Sequence, residues 1–376
     1  VGIVSAALVV NAFSIGPAFS LIYKRLLETA EIAKVTSWAS FMTCSNLFLF
    51  GFLILLSILI TTIHHSGAAW AYEKFVMKRV KTARAAESSS LLLSMLFFID
   101  DYFSCLLTGA VMQPITDRFK IPRAKLAMLV NTVAAPLVVL VPLSSWVAYI
   151  VGQLRNAGVA TVTRPTTVIL AEPLYFYIKA IPFMFYAIIV VVSAWYLVTR
   201  RLGYGLIARQ ELYAQKTGEL FGGKIPVVRR GGDKALGKHE TSASLLDFIL
   251  PIGFLMVTIL GWILYSGQWW GLGGTNTLFQ ALQKVNIFAA FFFGSALSVV
   301  FSFIYFRLRY IFFVRDFFML IKEGVMLMGG SVVMLLLIWT LSSMIVQDLG
   351  TGTYLADVFI DRMSVVWLPL MFFLIA

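Results

Sequence analysis

Apolar residues recur along the chain in runs at about residues 1–23, 41–63, 88–116, 126–152, 180–199, 246–266, 285–306, 325–346 and 363–376. A helix needs ~20 such residues to cross the hydrocarbon of a bilayer. The pattern therefore predicts nine membrane segments. Two runs carry interruptions. In "LAMLVNTVAAPLVVLVPLSSWVAYI" (126–150), Asn131, Thr132, Pro136, Pro142, Ser144 and Ser145 break the apolar pattern. Each proline removes a backbone donor and frees a carbonyl, around residues 132 and 138. A helix broken at mid-membrane offers carbonyls to a cation and helix N-termini to an anion, a site design of secondary transporters. The plainer alternative is a proline kink capped by Asn and Ser. In "FFIDDYFSCLLTG" (97–109), two adjacent carboxylates, Asp100 and Asp101, stand where the neighbours ask for hydrocarbon.

Composition turns this pattern into a class. Hydrophobic residues make up 60% of the 376 and charged residues 13%, against the roughly 25% charged of a soluble domain. The fold class is an all-α polytopic membrane protein. The net charge of +12 is gathered between apolar runs, at residues 73–87, 116–125 and 200–240, which places those loops in the cytoplasm facing anionic lipid. No nucleic-acid partner is expected. With both flanks of 88–116 on one side, that run is expected to enter and leave as a re-entrant hairpin, its tip between Asp100 and Thr108. Non-helical backbone at that depth must be buried in protein or line a wet cavity. A first membrane half then covers 1–199, with the hairpin 88–116 and the broken helix 126–152. Residues 200–244 form a cytoplasmic connector, and 245–376 a second half that looks incomplete at its end. The absence of Met at Val1 and the stop inside an apolar run read as a trimmed chain.

The candidate chemistry follows from cost. A carboxylate at membrane depth is unfavourable unless it is paired, protonated or coordinating, so Asp100 and Asp101 are the leading ion and proton ligands, with sodium as the metal. Adjacent helical residues lie ~100° apart, so one acid is expected to meet the ion or proton and the other to hold the hairpin. Capping a short helix near a wet tip is the alternative role for both. Asn131 and Thr132 supply neutral oxygens for the same ion, and Thr108, Ser144 and Ser145 for a bound substrate. Hydroxyls of this kind also bond their own helix backbone. The late run "LIWTLSSMIVQDLGTGTYLADVFI" (337–360) repeats the layout of 97–116, with Asp348, Thr351 and Thr353 as further candidates, so an internal repeat is expected. Cys44 and Cys105 read as small buried hydrophobes, His64 and His65 as interfacial anchors, Trp269 and Trp270 as an aromatic belt, and Glu172 as solvated. No G-x-x-x-x-G-K-[ST] loop occurs, so the chain reads as no enzyme and needs no ATP. No cofactor is expected beyond sodium and protons as transported or coupling ions.

The order IDDYF, PITD followed by a basic loop, T-x-AAP and P-x-SSW over 97–152 resembles the NhaC family of sodium/proton antiporters. "HHSGAAWAYEKFVMKRVK" (64–81) and "DLGTGTYLA" (348–356) are also similar to that family, so the resemblance covers most of the chain from about residue 50. It implies an inverted-repeat secondary transporter with re-entrant hairpins and broken helices, working by alternating access in the bacterial inner membrane. It implies Asp100, Asp101, Thr132, Ser144 and Ser145 as site positions, and a second Ser/Thr/Gly-rich segment after residue 376. Asn131 stands where the family commonly has an acid, and Ser104 where it often has Asn. Loss of that carboxylate keeps a rival open, a sodium- or proton-coupled carrier of a small organic anion or amino acid, which Ser144, Ser145 and the helix N-termini would bind. The expected partners are the bilayer and a small ion or organic solute, with a homodimer as the candidate assembly.

Overall fold

The computed structural model describes residues 1–223 and 243–360, apart from 143, 162, 164–166, 279, 282–284 and 310, together with Trp367. The ninth apolar run, 363–376, and most of the connector, His239 included, lie outside these residues. The described chain is helical: α1 (Gly2–Val10), α2 (Ile15–Ala30), α3 (Trp38–Phe41), α4 (Ser45–His65), α5 (Ala68–Met77), α6 (Ala83–Leu96), α7 (Asp101–Arg118) and α8 (Arg123–Leu140). Then come α9 (Ser145–Asn156), α10 (Pro173–Ala180), α11 (Phe185–Arg200), α12 (Gly205–Thr217), α13 (Leu245–Ser266), α14 (Ile287–Leu308), α15 (Val314–Ser343) and α16 (Thr351–Ile360). One pair of two-residue strands, Val159–Ala160 and Ile169–Leu170, is the sheet structure among the described residues.

Among the described residues six helical stretches are long and apolar enough to cross a membrane, and the bent pair α1–α2 makes a seventh if counted as one span. The protein is a multi-pass membrane protein. The first apolar run differs from its expectation as a single span, because it turns by 120° between α1 and α2. Ala12 and Phe13 take positive φ at the bend, a left-handed pair that no straight helix accommodates. The run 88–116 is two helices, α6 and α7, packed on each other across a four-residue break.

The contacts divide the chain into two compact units, residues 1–50 with 328–376, and residues 51–327. In the first, Ala6, Ala7, Ala18 and Met344 form the buried core. In the second, Leu91, Leu129, Val133, Ala194 and Val198 join α6, α8 and α11. Two close approaches tie its remaining helices, and they share a design. Thr258 donates to the Gly294 carbonyl at 3.0 Å, and Ser57 donates to the Gly324 carbonyl at 2.8 Å. The next residue in each case is an isoleucine, Ile259 or Ile58, whose backbone would meet a glycine Cβ at 3.0 Å or less. Small residues at such crossings let backbones touch where lipid offers no hydrophobic drive to pack.

Candidate functional site

The site begins at the break between α6 and α7. Asp100 caps α7, its Oδ1 accepting the Phe103 backbone N–H at 3.0 Å, and the residue is 3% exposed. Aspartate is a preferred cap because its carboxylate satisfies an orphan amide and sits at the positive end of the helix dipole. Asp101 follows in the first turn, half-buried. The break falls at Phe97–Asp100, earlier than the tip expected at Asp100–Thr108, and Thr108 lies two turns inside α7.

A second break, Val141–Ser144, separates α8 from α9. Pro142 lies in it, whereas Pro136 is carried inside the continuous helix α8. Ser144 is fully buried, caps α9 by accepting the Val147 N–H at 3.2 Å, and donates its own proton to the Val138 carbonyl. The two breaks meet: Trp146, in the first turn of α9, donates its indole N–H to Asp101 Oδ1 at 3.1 Å. One carboxylate thus stands at the start of α7 and touches the start of α9. Two helix N-termini and an indole donor therefore surround the Asp101 carboxylate.

Other expected residues are more dispersed. Asn131 is exposed and lines an open groove of about 690 Å³ with Cys105, Gly109 and Gln113 of α7 and Arg123 at the start of α8. No hydrogen bond joins Asn131 to either aspartate among the described residues. Thr132 is half-buried on the next position of α8. Thr108 is fully buried, and its hydroxyl has no hydrogen-bond partner. Ser145 opens α9, and its side chain lies outside the described residues.

Asp348, Thr351 and Thr353 belong to the other unit. There α15 ends in a π-turn, Met344–Asp348, and Asp348 is already paired. Arg25 grips it as a fork, Nε to Oδ2 at 2.9 Å and Nη2 to Oδ1 at 2.6 Å, and also reaches Gln347 and Glu28. Thr351 starts α16, and Thr353 donates to the Gly350 carbonyl at 2.6 Å. Gly350 has φ +58, a turn that glycine takes without strain.

Sequence reasoning missed a buried ion cluster. Lys125 is 3% exposed and donates to Glu87 Oε1 at 2.8 Å and to Glu211 Oε2 at 2.7 Å. Arg201 adds a 2.7 Å bond to Glu211 Oε1 and lies 3.8 Å from Glu87 Oε1. Glu87 is fully buried, and its Oε2 has no hydrogen-bond partner. The cluster gathers the N-terminal ends of α6 and α8, the C-terminal end of α11, and α12. All adjoin the described parts of the basic loops. The signal in the sequence was a lone acid, Glu87, at the edge of an apolar run, and it was hidden by the surrounding basic charge. A second such pair, Asp247 with Arg309 at 2.7 Å and Tyr305 at 2.7 Å, ties α13 to the end of α14.

Comparison with known proteins matches residues 137–376, more than half of the chain, to the Na+/H+ antiporter family. The match takes in Ser144, Ser145, Asp348, Thr351 and Thr353, and it begins after Asp100, Asp101, Thr108, Asn131 and Thr132. A Haemophilus influenzae protein described as an "Uncharacterized protein" is 26% identical over 381 residues, covering 100% of this chain and 67% of its own length. No solved structure matches. Membership of an ion-exchanging family does not favour the organic-solute rival. The chain belongs to the Na+/H+ antiporter family, and its function is sodium/proton antiport.

Proposed function

We propose that this chain is an NhaC-type antiporter of the bacterial inner membrane, and that Asp100 and Asp101 together form its exchange centre. The observation that carries the reading is the hydrogen bond from Trp146 to Asp101, which joins the two breaks. Asp100 and Asp101 are the two carboxylates at this junction, and the centre holds either a proton or a sodium ion. Sodium approaches Asp101, the more open of the two. Asp100, buried and capping α7, keeps the hairpin in register and shares the proton. Arrival of sodium releases the proton, and departure of sodium lets a proton rebind. Alternating exposure of this centre to the two sides then makes exchange vectorial.

Competition of this kind has a direct equilibrium signature. Binding of ²²Na+ to the detergent-solubilised protein is expected to weaken steadily as the pH falls, because protons compete with sodium for the same carboxylates. Sodium affinity that stays flat between pH 5 and pH 9 would contradict a shared proton and sodium seat.

A further inference from the structure

The seam between α6 and α7 holds polar groups that the exchange centre does not use. Ser94 and Ser104 hydrogen-bond across it, Oγ to Oγ at 2.8 Å, and Ser104 donates to the Ser94 carbonyl at 2.9 Å. At the far end, Glu87 of α6 bonds Lys125, at the start of α8, where the chain has just left α7. The two helices therefore run antiparallel along their length. That register sets Ser90 level with Thr108, one turn from the Ser94–Ser104 pair, and Glu87 about a turn further. Ser90, Ser94, Ser104, Thr108 and Glu87 are all fully buried, and Asp100 is nearly so.

Two buried atoms along the seam lack partners, the Thr108 hydroxyl and Oε2 of Glu87. Their state contrasts with that of buried hydroxyls that find a carbonyl, on their own helix as Thr61 (to Ser57, 2.8 Å), Thr62 (to Ile58, 2.7 Å), Ser90 (to Ala86, 2.9 Å) and Thr116 (to Met112, 3.1 Å) do, or on a neighbouring one as Ser57 does (to Gly324, 2.8 Å). A buried polar atom without a partner is costly, and a water that bridges two such atoms removes that cost.

We propose that the α6–α7 seam is a water-bridged proton relay, running from Asp100 through Ser104 and Ser94, then Thr108, to Glu87. It deepens the antiport reading and rests on it, by giving the proton a route separate from the sodium seat at Asp101. The path is about 16 Å, eleven residues of helical rise. Each hydroxyl or water accepts one proton on a lone pair and gives up another, so none changes state. At the inner end Oε2 of Glu87 takes the proton, becomes a carboxylic acid, and passes it to water at the face that Glu211 and Arg201 border. Lys125 and Arg201 keep Glu87 in place through Oε1 and leave Oε2 to receive.

The test compares two exchange modes in proteoliposomes: sodium-driven pH change, which needs the relay, and ²²Na+/Na+ exchange, which does not. Thr108→Val and Glu87→Gln are each expected to slow the pH change by at least about tenfold, to leave ²²Na+/Na+ exchange within about twofold of the native rate, and Thr108→Ser to restore the pH change. Both variants keeping the native rate of pH change would overturn the relay. So would loss of both modes together, which would make these residues structural or sodium ligands, or a Thr108→Ser protein as slow as Thr108→Val. Native protein that shows no sodium-driven pH change would overturn the antiport reading and the relay with it, an outcome distinct from failure of the variants alone.

Discussion

Asp101 and Trp146 lie 45 positions apart in the sequence, yet one hydrogen bond between them sets the geometry of the candidate site. A hydrogen bond to an ionised group is worth about 1.5–3 kcal/mol. Its loss in Trp146→Phe should free the Asp101 carboxylate to move. The expected result is a rise in KM for sodium of about tenfold with kcat changed by less than about threefold. An unchanged KM would show that the indole does not position the carboxylate. The acids themselves were legible in the sequence, because two carboxylates among Phe97, Phe98, Ile99 and Phe103 have no cheap explanation. Their partner was not. Trp146 reads as one more aromatic of a membrane segment, and its role depends on where two breaks meet in space. Asp348 was visible for the same reason as Asp100, but Arg25, which neutralises it from more than three hundred residues away, carries no local sign of that pairing.

Breaks rather than helices are the informative elements of this chain. Apolar patterning located the helical runs well, since a single period and a length near twenty residues identify them. It placed the breaks less well. Pro136 looked as disruptive as Pro142, but α8 continues through Pro136 and stops only before Pro142, where Ser144 supplies both a cap for α9 and a donor to the freed Val138 carbonyl. Residues 97–100 follow the same logic: a cap residue, Asp100, decides where the second helix starts, and the turn precedes it. The glycine crossings were silent in the sequence, although they fix helix packing. At Gly294 a Cβ would lie 2.6 Å from the Ile259 side chain and 3.0 Å from its backbone. Gly294→Val is therefore expected to destabilise the protein by about 1–3 kcal/mol, since overpacking forces the α13–α14 pair apart. A Tm equal to that of the native protein would contradict this close approach. Gly253, whose added Cβ meets nothing within 4 Å, should tolerate alanine and serves as the control.

At the scale of the whole molecule, charge and composition were more informative than any motif. The basic loops were assigned to one side by counting, and the Glu87–Lys125–Glu211–Arg201 cluster draws the helix ends beside them together. Asn131, where a carboxylate was expected by resemblance, lines a groove between α7 and α8 that also holds Cys105, one turn from Asp101. The most direct test reconstitutes the purified protein in liposomes with an internal pH dye and imposes a sodium gradient. Native protein should move protons in the direction opposite to sodium flow, and Asp101→Asn should reduce that rate by at least about a hundredfold while the protein remains folded. An Asp101→Asn protein that exchanges sodium for protons at the native rate would contradict the assignment of the exchange centre to the junction of the two breaks.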